Sequence, residues 1–373
     1  MKRNSIGPLE LLLIQPTTFC NLDCTYCYLP NRTLKKRLDP TALESVLNNV
    51  FSSKIITDNL LIQFHSGEPL AVPCNLFRKY CEVIDRYGDY SNLTLSVQTN
   101  GTTINEEWCR LFKDYNIQIG ISLDGGKDVN DSVRVDRKGS GTYEKVLKGI
   151  RLLKEFNIHF SILSVISIES ILKPQSVIDD LTSLGAESYA FNVEESDGIN
   201  SSDLFVYESY RTKVKDFYDR LIWTANNDKA KIREVRNMLG AILGKRNDNK
   251  GINVNRPFSI VSVDTDGNMS TFSPELLSES NRNYNFIFGN LIYESLDDII
   301  KNGLYLPIQY EIQSGIDLCS ISCDYFELCG GGIPSNKFGE HKRFDVTETE
   351  YCKTAVQDMA TSMFEFIEKE NDK

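Results

Sequence analysis

The stretch Leu9–Tyr28 reads LELLLIQPTTFCNLDCTYCY: an apolar run, a proline, then Cys20, Cys24 and Cys27. Leu9–Gln15 has the apolar density of a buried strand, and Pro16, which has no N–H to give a ladder, ends it. The cysteine spacing, three residues and then two, puts three thiolates on one short loop. A cubane iron–sulfur cluster has four irons, so three thiolates leave one iron open to another ligand. Soft thiolates suit iron–sulfur clusters and zinc. A structural zinc site wants a closed set of four ligands, and no fourth Cys or His lies close to the trio in sequence. The stretch therefore points to an open-site cluster and to redox chemistry.

Outward from that loop, apolar runs alternate with helical patterns. Strands are expected over Asn59–Phe64, Leu93–Gln98, Ile117–Leu123, His159–Ile166 and Glu187–Val193. A helix opens at Asp39-Pro40 and carries Leu43, Val46, Leu47 and Val50 at helical spacing. Further helices are expected over Asn75–Tyr87, Asn105–Tyr115, Thr142–Phe156 and Pro174–Leu184. Repeated strand–helix steps are the signature of a parallel sheet or barrel. Right-handed crossovers bring the loops after the strands to one edge, where parallel barrels carry their active sites.

The polar segment Glu194–Asp203 reads as a linker out of the barrel, and Val206–Ala225 and Ala230–Leu243 as helices. Ser259–Phe272 alternates around Asp266-Gly267, a hairpin signal. A cysteine-bearing, glycine-rich tail follows, closed by a helix over Lys353–Lys369. The expected division is a barrel over 1–196, a helical linker region over 197–250 and a C-terminal unit over 251–373.

At 373 residues the chain can bury two cores, and at 41% hydrophobic and 25% charged it is ordinary globular material. The formal charge of −11 excludes nucleic acid as the main partner, because phosphate contacts need a basic face. The apolar stretch near the N-terminus is too short and too polar at Glu10 for a signal peptide, and no segment approaches a membrane span. A cytoplasmic location is expected, where ten cysteines argue for metal or catalysis over disulfides. Three histidines, His65, His159 and His341, are few for a zinc hydrolase. Cys74, Cys81 and Cys109 fall on helix faces and read as small buried apolar side chains.

Further motifs follow in order. Phe64-His65-Ser66-Gly67-Glu68-Pro69 comes directly after the second strand, Thr99-Asn100-Gly101 ends the third, and Ser122-Leu123-Asp124-Gly125 ends the fourth. Arg134 lies shortly beyond. The tail reads Cys319-x3-Cys323-x5-Cys329-Gly-Gly-Gly, then Pro334-Ser335-Asn336-Lys337, then Cys352. On ligand type alone these four cysteines suit either a second, fully ligated cluster or a zinc ion.

Together the motifs resemble radical S-adenosylmethionine (SAM) enzymes with a SPASM-like C-terminal domain, and within them the cyclophane-forming maturases of ribosomally made peptides. The resemblance implies an α/β fold: a partial (β/α)6 barrel followed by a C-terminal α+β iron–sulfur domain. It implies that Cys20, Cys24 and Cys27 hold a [4Fe–4S] cluster with an open iron, and that SAM binds there. His65, Ser66, Gly67 and Glu68 match the motif that grips the methionyl ammonium, with Ser66 replacing the usual first glycine. Asn100 belongs to the matching turn. Ser122 and Asp124 match contacts to the SAM carboxylate or ribose, and Arg134 matches a carboxylate partner. Cys319, Cys323, Cys329 and Cys352 match the ligands of one auxiliary [4Fe–4S] cluster. The family's other auxiliary cluster has no cysteines here, and Phe272 stands about where a ligand would be.

The activity implied is hydrogen abstraction from a precursor-peptide side chain by a 5′-deoxyadenosyl radical, then bonding of the carbon radical to an aromatic ring. Thioether formation, sulfatase maturation and epimerisation are alternatives on the same scaffold, and a non-catalytic peptide-binding or redox-sensing protein is the alternative of another class. Relatives that oxidise sulfatases carry an Asp about where Ser273 stands; its absence counts against sulfatase maturation and leaves the base unassigned, with Glu275, two residues on, as a candidate. The expected partners are the peptide and a flavodoxin- or ferredoxin-like electron donor. With 19 residues before Cys20, a fused leader-binding domain is not expected there, and a separate leader-binding protein is a further expected partner.

Overall fold

The structure, a computed structural model, describes residues 6–88, 92–244, 253–278 and 283–372. Its centre is β1 (Leu9–Ile14), buried at every position but one. Alternate side chains go to opposite faces. Leu12 and Ile14 join the main core under the helices, while Leu11 and Leu13 pack with Ile260 on the other face. A strand buried on both faces needs a near-continuous apolar sequence, which LELLLI supplies.

β1 pairs in parallel with β2 (Ile56–Phe64) on one side. The sheet continues through β3 (Asn92–Thr99), β4 (Gln118–Ser122), β5 (Phe160–Ile166) and β6 (Ser188–Val193), all parallel. The crossovers carry α1 (Pro40–Phe51), α2 (Cys74–Asp85), α3 (Glu106–Asp114), α4 (Lys127–Val133), α5 (Tyr143–Glu155), α6 (Ile168–Leu172) and α7 (Pro174–Thr182). Local chemistry starts two of them. The Asp39 carboxylate accepts from Thr41 N–H at 2.8 Å with Pro40 in the first turn, and Asn105 accepts from Trp108 N–H at 3.1 Å. Phe64, Phe77 and Trp108 then lock β2, α2 and α3 together, with ring centroids 4.6 and 5.2 Å apart. Cys74, Cys81 and Cys109 are buried in this layer, as expected.

Beyond β6 come α8 (Tyr210–Asn227) and α9 (Arg233–Ile242), then β7 (Ile260–Val263), β8 (Asn268–Thr271) and β9 (Gly289–Asn290). The expected hairpin is β7–β8. Asp264 Oδ1 closes its turn, accepting from the N–H groups of Asp266 at 2.8 Å and Asn268 at 3.0 Å. β7 lies parallel to β1, so the hairpin extends the barrel sheet into one open sheet ordered β6-β5-β4-β3-β2-β1-β7-β8-β9. The segment 251–373 thus shares a sheet with the barrel; the expected boundary at 250–251 lies outside the described residues.

The tail is helical: α10 (Leu296–Asn302), α11 (Leu306–Ser322), α12 (Phe326–Cys329), α13 (Pro334–His341), α14 (Glu350–Cys352), a π-helical stretch over Lys353–Asp358, and α15 (Met359–Asn371). Tyr284, Phe286, Phe338 and Phe344 form its aromatic core, with Phe286 and Phe338 centroids 4.9 Å apart. α13 presses on the loop after β6 so closely that a methyl on Gly339 would lie 2.3 Å from Ser196 O. Among the described residues no helix is long and apolar enough to cross a membrane.

Candidate functional site

The loop between β1 and α1 carries Cys20, Cys24 and Cys27 and is tied down at several points. Cys20 N–H donates to Arg32 O at 2.9 Å. The Arg137 guanidinium donates to Cys20 O at 3.0 Å and to Arg32 O at 2.9 Å. Asp23 and Thr25 N–H groups bond Val135 O and Val133 O at 2.8 and 3.0 Å. Sequence reasoning missed Arg137, whose role is to fix the backbone that presents the thiols.

The turn after β2 meets this loop. Ser66 and Gly67 both have left-handed backbones, with φ of 68° and 65°. A methyl on Gly67 would lie 2.4 Å from Thr17 O and 2.9 Å from Phe19 O, so only glycine fits. Ser66 tolerates the conformation that its neighbour's glycine favours, and its Oγ lies 3.1 Å from His65 Nδ1. Glu68 follows, 1% exposed. Its carboxylate accepts from Leu70 N–H at 2.9 Å, Thr99 Oγ1 at 2.5 Å and Asn100 N–H at 2.8 Å.

A cavity of about 250 Å³ opens at this edge of the sheet. Cys20, Cys24, Cys27, His65, Ser66, Gly67, Glu68, Asn100, Ser122, Arg134 and Glu275 all line it. The residues expected around the open-site cluster and SAM are thus brought together from six separate segments, with one exception. Asp124 is fully buried behind the wall. Its carboxylate is held by Arg134 Nε at 2.9 Å, Val165 N–H at 2.9 Å and the Tyr26 hydroxyl. The expected contact of Asp124 with a ribose is therefore corrected: its oxygens are taken by the wall, and it positions Arg134 and Tyr26. Ser122 Oγ accepts from Gln98 Nε2 at 2.8 Å. The Asn100 amide donates to Asn21 Oδ1 at 2.8 Å, tying its turn to the cysteine loop.

Burial pushes the Cys20 thiol up to about 12, helped by the charge of Glu68. Burial likewise lifts Cys24 to about 11, against the pull of Arg134. Such thiols ionise when a metal takes the proton's place. Burial lowers His65 to about 4, so its ring is neutral near pH 7. Glu68 is raised by burial against its three hydrogen bonds, all from neutral groups, which suits it to an ammonium ligand. The residues present therefore fit a thiolate-held cluster beside an amino-acid head group.

The far wall was not anticipated. Glu194, Glu195 and Asp197, read from sequence as linker, line the same cavity as Glu275. Glu195 is raised well above the usual carboxyl range by burial and by Asp197. Asp197 is raised by burial, against a hydrogen bond from Glu195. Burial and the charge of Asp197 lift Glu275 to about 7, against a hydrogen bond from Ser273. The available signal was position: polar residues directly after the sixth strand sit at the active edge.

The tail cysteines form a second group. Cys319 lies near the end of α11, Cys323 caps it, Cys329 ends α12 and Cys352 ends α14. The charges of Cys329 and Cys323 both raise Cys319, and that of Cys329 raises Cys352, which places the thiols in one neighbourhood. Gly330, Gly331 and Gly332 all have positive φ, at 69°, 107° and 81°, a path that favours glycine. Among the described residues no three His, Cys, Asp or Glu side chains converge as tightly as one metal ion requires. Phe272 is fully buried in the hairpin.

The radical SAM superfamily, as a sequence family, matches residues 14–181. An uncharacterised protein of Synechocystis sp. is 36% identical over 98% of this chain and 94% of its own length. A cysteine-type anaerobic sulfatase-maturating enzyme of Clostridium perfringens is 26% identical over 87% of this chain and 88% of its own. The solved structure of anSMEcpe with bound AdoMet and Cp18Cys peptide superposes with a TM-score of 0.77 at 22% identity, covering 98% of this chain and 100% of that one. Streptococcus suis SuiB bound to precursor peptide SuiA superposes with a TM-score of 0.63 at 14% identity, covering 93% of this chain and 77% of that one. At those identities the two structures speak to the fold alone.

Proposed function

The chain belongs to the radical SAM superfamily, and from that we propose that it is a peptide maturase that joins a side-chain carbon to an aromatic ring within one precursor peptide. It is an enzyme whose cofactors are a [4Fe–4S] cluster and SAM. In this reading Cys20, Cys24 and Cys27 hold the cluster, Glu68 receives the ammonium of SAM, and Cys319, Cys323, Cys329 and Cys352 hold an auxiliary cluster. The observation that carries it is one cavity lined by the three thiols and Glu68 together with Glu195, Asp197 and Glu275.

Bound there, the cluster and SAM supply a 5′-deoxyadenosyl radical able to take hydrogen from a peptide carbon. The chain's own residues do the rest. Arg137 and the 133–137 segment hold the thiol loop rigid. Asp124 holds Arg134 and Tyr26, both of which line the cavity, in fixed positions. When an attacked ring regains aromaticity it gives up a proton and an electron. Glu275, pushed up to about 7, is placed to take the proton, and the auxiliary cluster is the acceptor proposed for the electron. A peptide is the proposed substrate, and proteins of the same fold, anSMEcpe and SuiB, have been solved with peptides bound. A flavodoxin- or ferredoxin-like donor and a separate leader-binding protein complete the proposed system.

Oxidation of a serine or cysteine, as in sulfatase maturation, is the second reading, favoured by the sulfatase-maturating relative. Anaerobic reaction with a candidate peptide and tandem mass spectrometry separates them. A crosslink removes two hydrogens, suppresses backbone fragmentation between the joined residues and leaves nothing for a hydrazide to label. An oxidised serine also loses two hydrogens, but it gives an aldehyde that the hydrazide captures. Hydrazide labelling would overturn the crosslink in favour of oxidation.

A further inference from the structure

Lys337, on α13, is buried, with 4% of its surface exposed. Its Nζ lies 3.6 Å from Cys319 Sγ. A buried ammonium is costly unless an opposite charge compensates it. Among the described residues no carboxylate lies within ion-pair distance of it. What surrounds it is backbone. A methyl added to Gly315 would lie 2.9 Å from this Nζ, 2.3 Å from Phe344 O and 3.1 Å from Val346 O, so that glycine keeps the niche open. A second donor reaches another tail sulfur, with Thr349 N–H at 3.3 Å from Cys352 Sγ. The same helix also faces the cavity: Asn336, one residue earlier, donates to Glu195 Oε2 at 2.5 Å.

Four thiolates around a [4Fe–4S] core carry net negative charge, and reduction adds to it. We propose that Lys337 is the counter-cation of the auxiliary cluster and raises its reduction potential, making that cluster a better electron acceptor than its four cysteines alone would. The inference rests on the reading of the tail cysteines as cluster ligands. Net charge and hydrogen bonds to sulfur are the levers by which a protein sets such potentials. Lys337 is a positioning residue here: it touches a ligand sulfur and not the substrate.

The test uses the full chain with Cys20, Cys24 and Cys27 all changed to Ala, so that only the tail cluster is read. Protein carrying Lys337, Lys337→Met or Lys337→Arg is reconstituted anaerobically, its iron and sulfide are counted, and its midpoint is measured by EPR-monitored redox titration. About four irons are expected with Lys337. Lys337→Met should shift the midpoint downward by at least a tenfold change in the reduction equilibrium, about 59 mV for one electron, and Lys337→Arg should restore most of it. Loss of the cluster in Lys337→Met with retention in Lys337→Arg also supports the charge requirement. An unchanged midpoint in an iron-replete Lys337→Met protein overturns the proposal, as does cluster loss in both variants, which makes the role steric. Absence of iron with Lys337 in place overturns the ligand reading itself, and the proposal with it.

Discussion

Arg134 grips Asp124 at two points, Nε to Oδ2 at 2.9 Å and Nη2 to Oδ1 at 3.3 Å, a buried pair in which Arg134 lines the cavity and Asp124 lies behind it. Breaking a buried pair from one side strands the other charge. Asp124→Ala should therefore lower unfolding free energy by about 3–5 kcal/mol in urea denaturation. A loss below about 1 kcal/mol, the range of an exposed pair, would contradict this placement.

Glu68 is a buried carboxyl group of the cavity, and every hydrogen bond described to it comes from a neutral donor. Glu68→Gln keeps the shape, removes the charge and turns an amide N–H₂ toward one of those donors. SAM affinity of the reconstituted protein should fall at least tenfold, about 1.4 kcal/mol, by isothermal titration. Unchanged affinity would remove Glu68 from the SAM site.

Glu275 gives a pH signature. Its carboxyl is raised from 4.5 to about 7, so between those values the folded chain binds more protons than the unfolded one. Stability from this group then falls as pH rises through that window, by about 3 kcal/mol at most. Glu194, Glu195 and Asp197 are shifted the same way, so the wild-type chain should lose stability between pH 5 and 8. Glu275→Gln should flatten part of that slope, as read from urea midpoints across the range. An unchanged slope would place Glu275 in solvent.

Cys329 lies in the tail group, apart from the thiols of the cavity. Cys329→Ala should reduce iron from about eight to about four per chain. It should still cleave SAM, while peptide modification is lost. Zinc in place of the missing iron in the unaltered chain would identify the tail as a zinc site.

Much of the fold was legible because buried parallel strands must be apolar throughout. The expected strand over Asn59–Phe64 falls within β2, that over Leu93–Gln98 within β3, and the others match to within a residue or two. The short helices α4 and α6 and the long α11 escaped notice. α11 buries a single stripe, Ile308, Ile312, Gly315 and Cys319, but it leaves Tyr310, Leu318 and Ile321 exposed, so its sequence shows little contrast between faces. The thiol loop and the Glu68 turn were legible because few residue types can do their work. What sequence could not show was pairing at a distance. Asp124 looks suited to SAM until the fold buries it behind Arg134. Glu195 and Asp197 look like linker until α13 presses their loop against the cavity. Lys337 stands in the tail motif without a role of its own until its burial beside Cys319 is seen.

The central claim is that the Cys20–Cys27 loop holds a cluster with one iron left for SAM. Anaerobically reconstituted protein, reduced with dithionite in the presence of SAM, should release 5′-deoxyadenosine and show a changed cluster EPR spectrum on SAM addition, and Cys24→Ala should abolish both. A fully loaded protein that gives no 5′-deoxyadenosine and no spectral response to SAM would contradict the account.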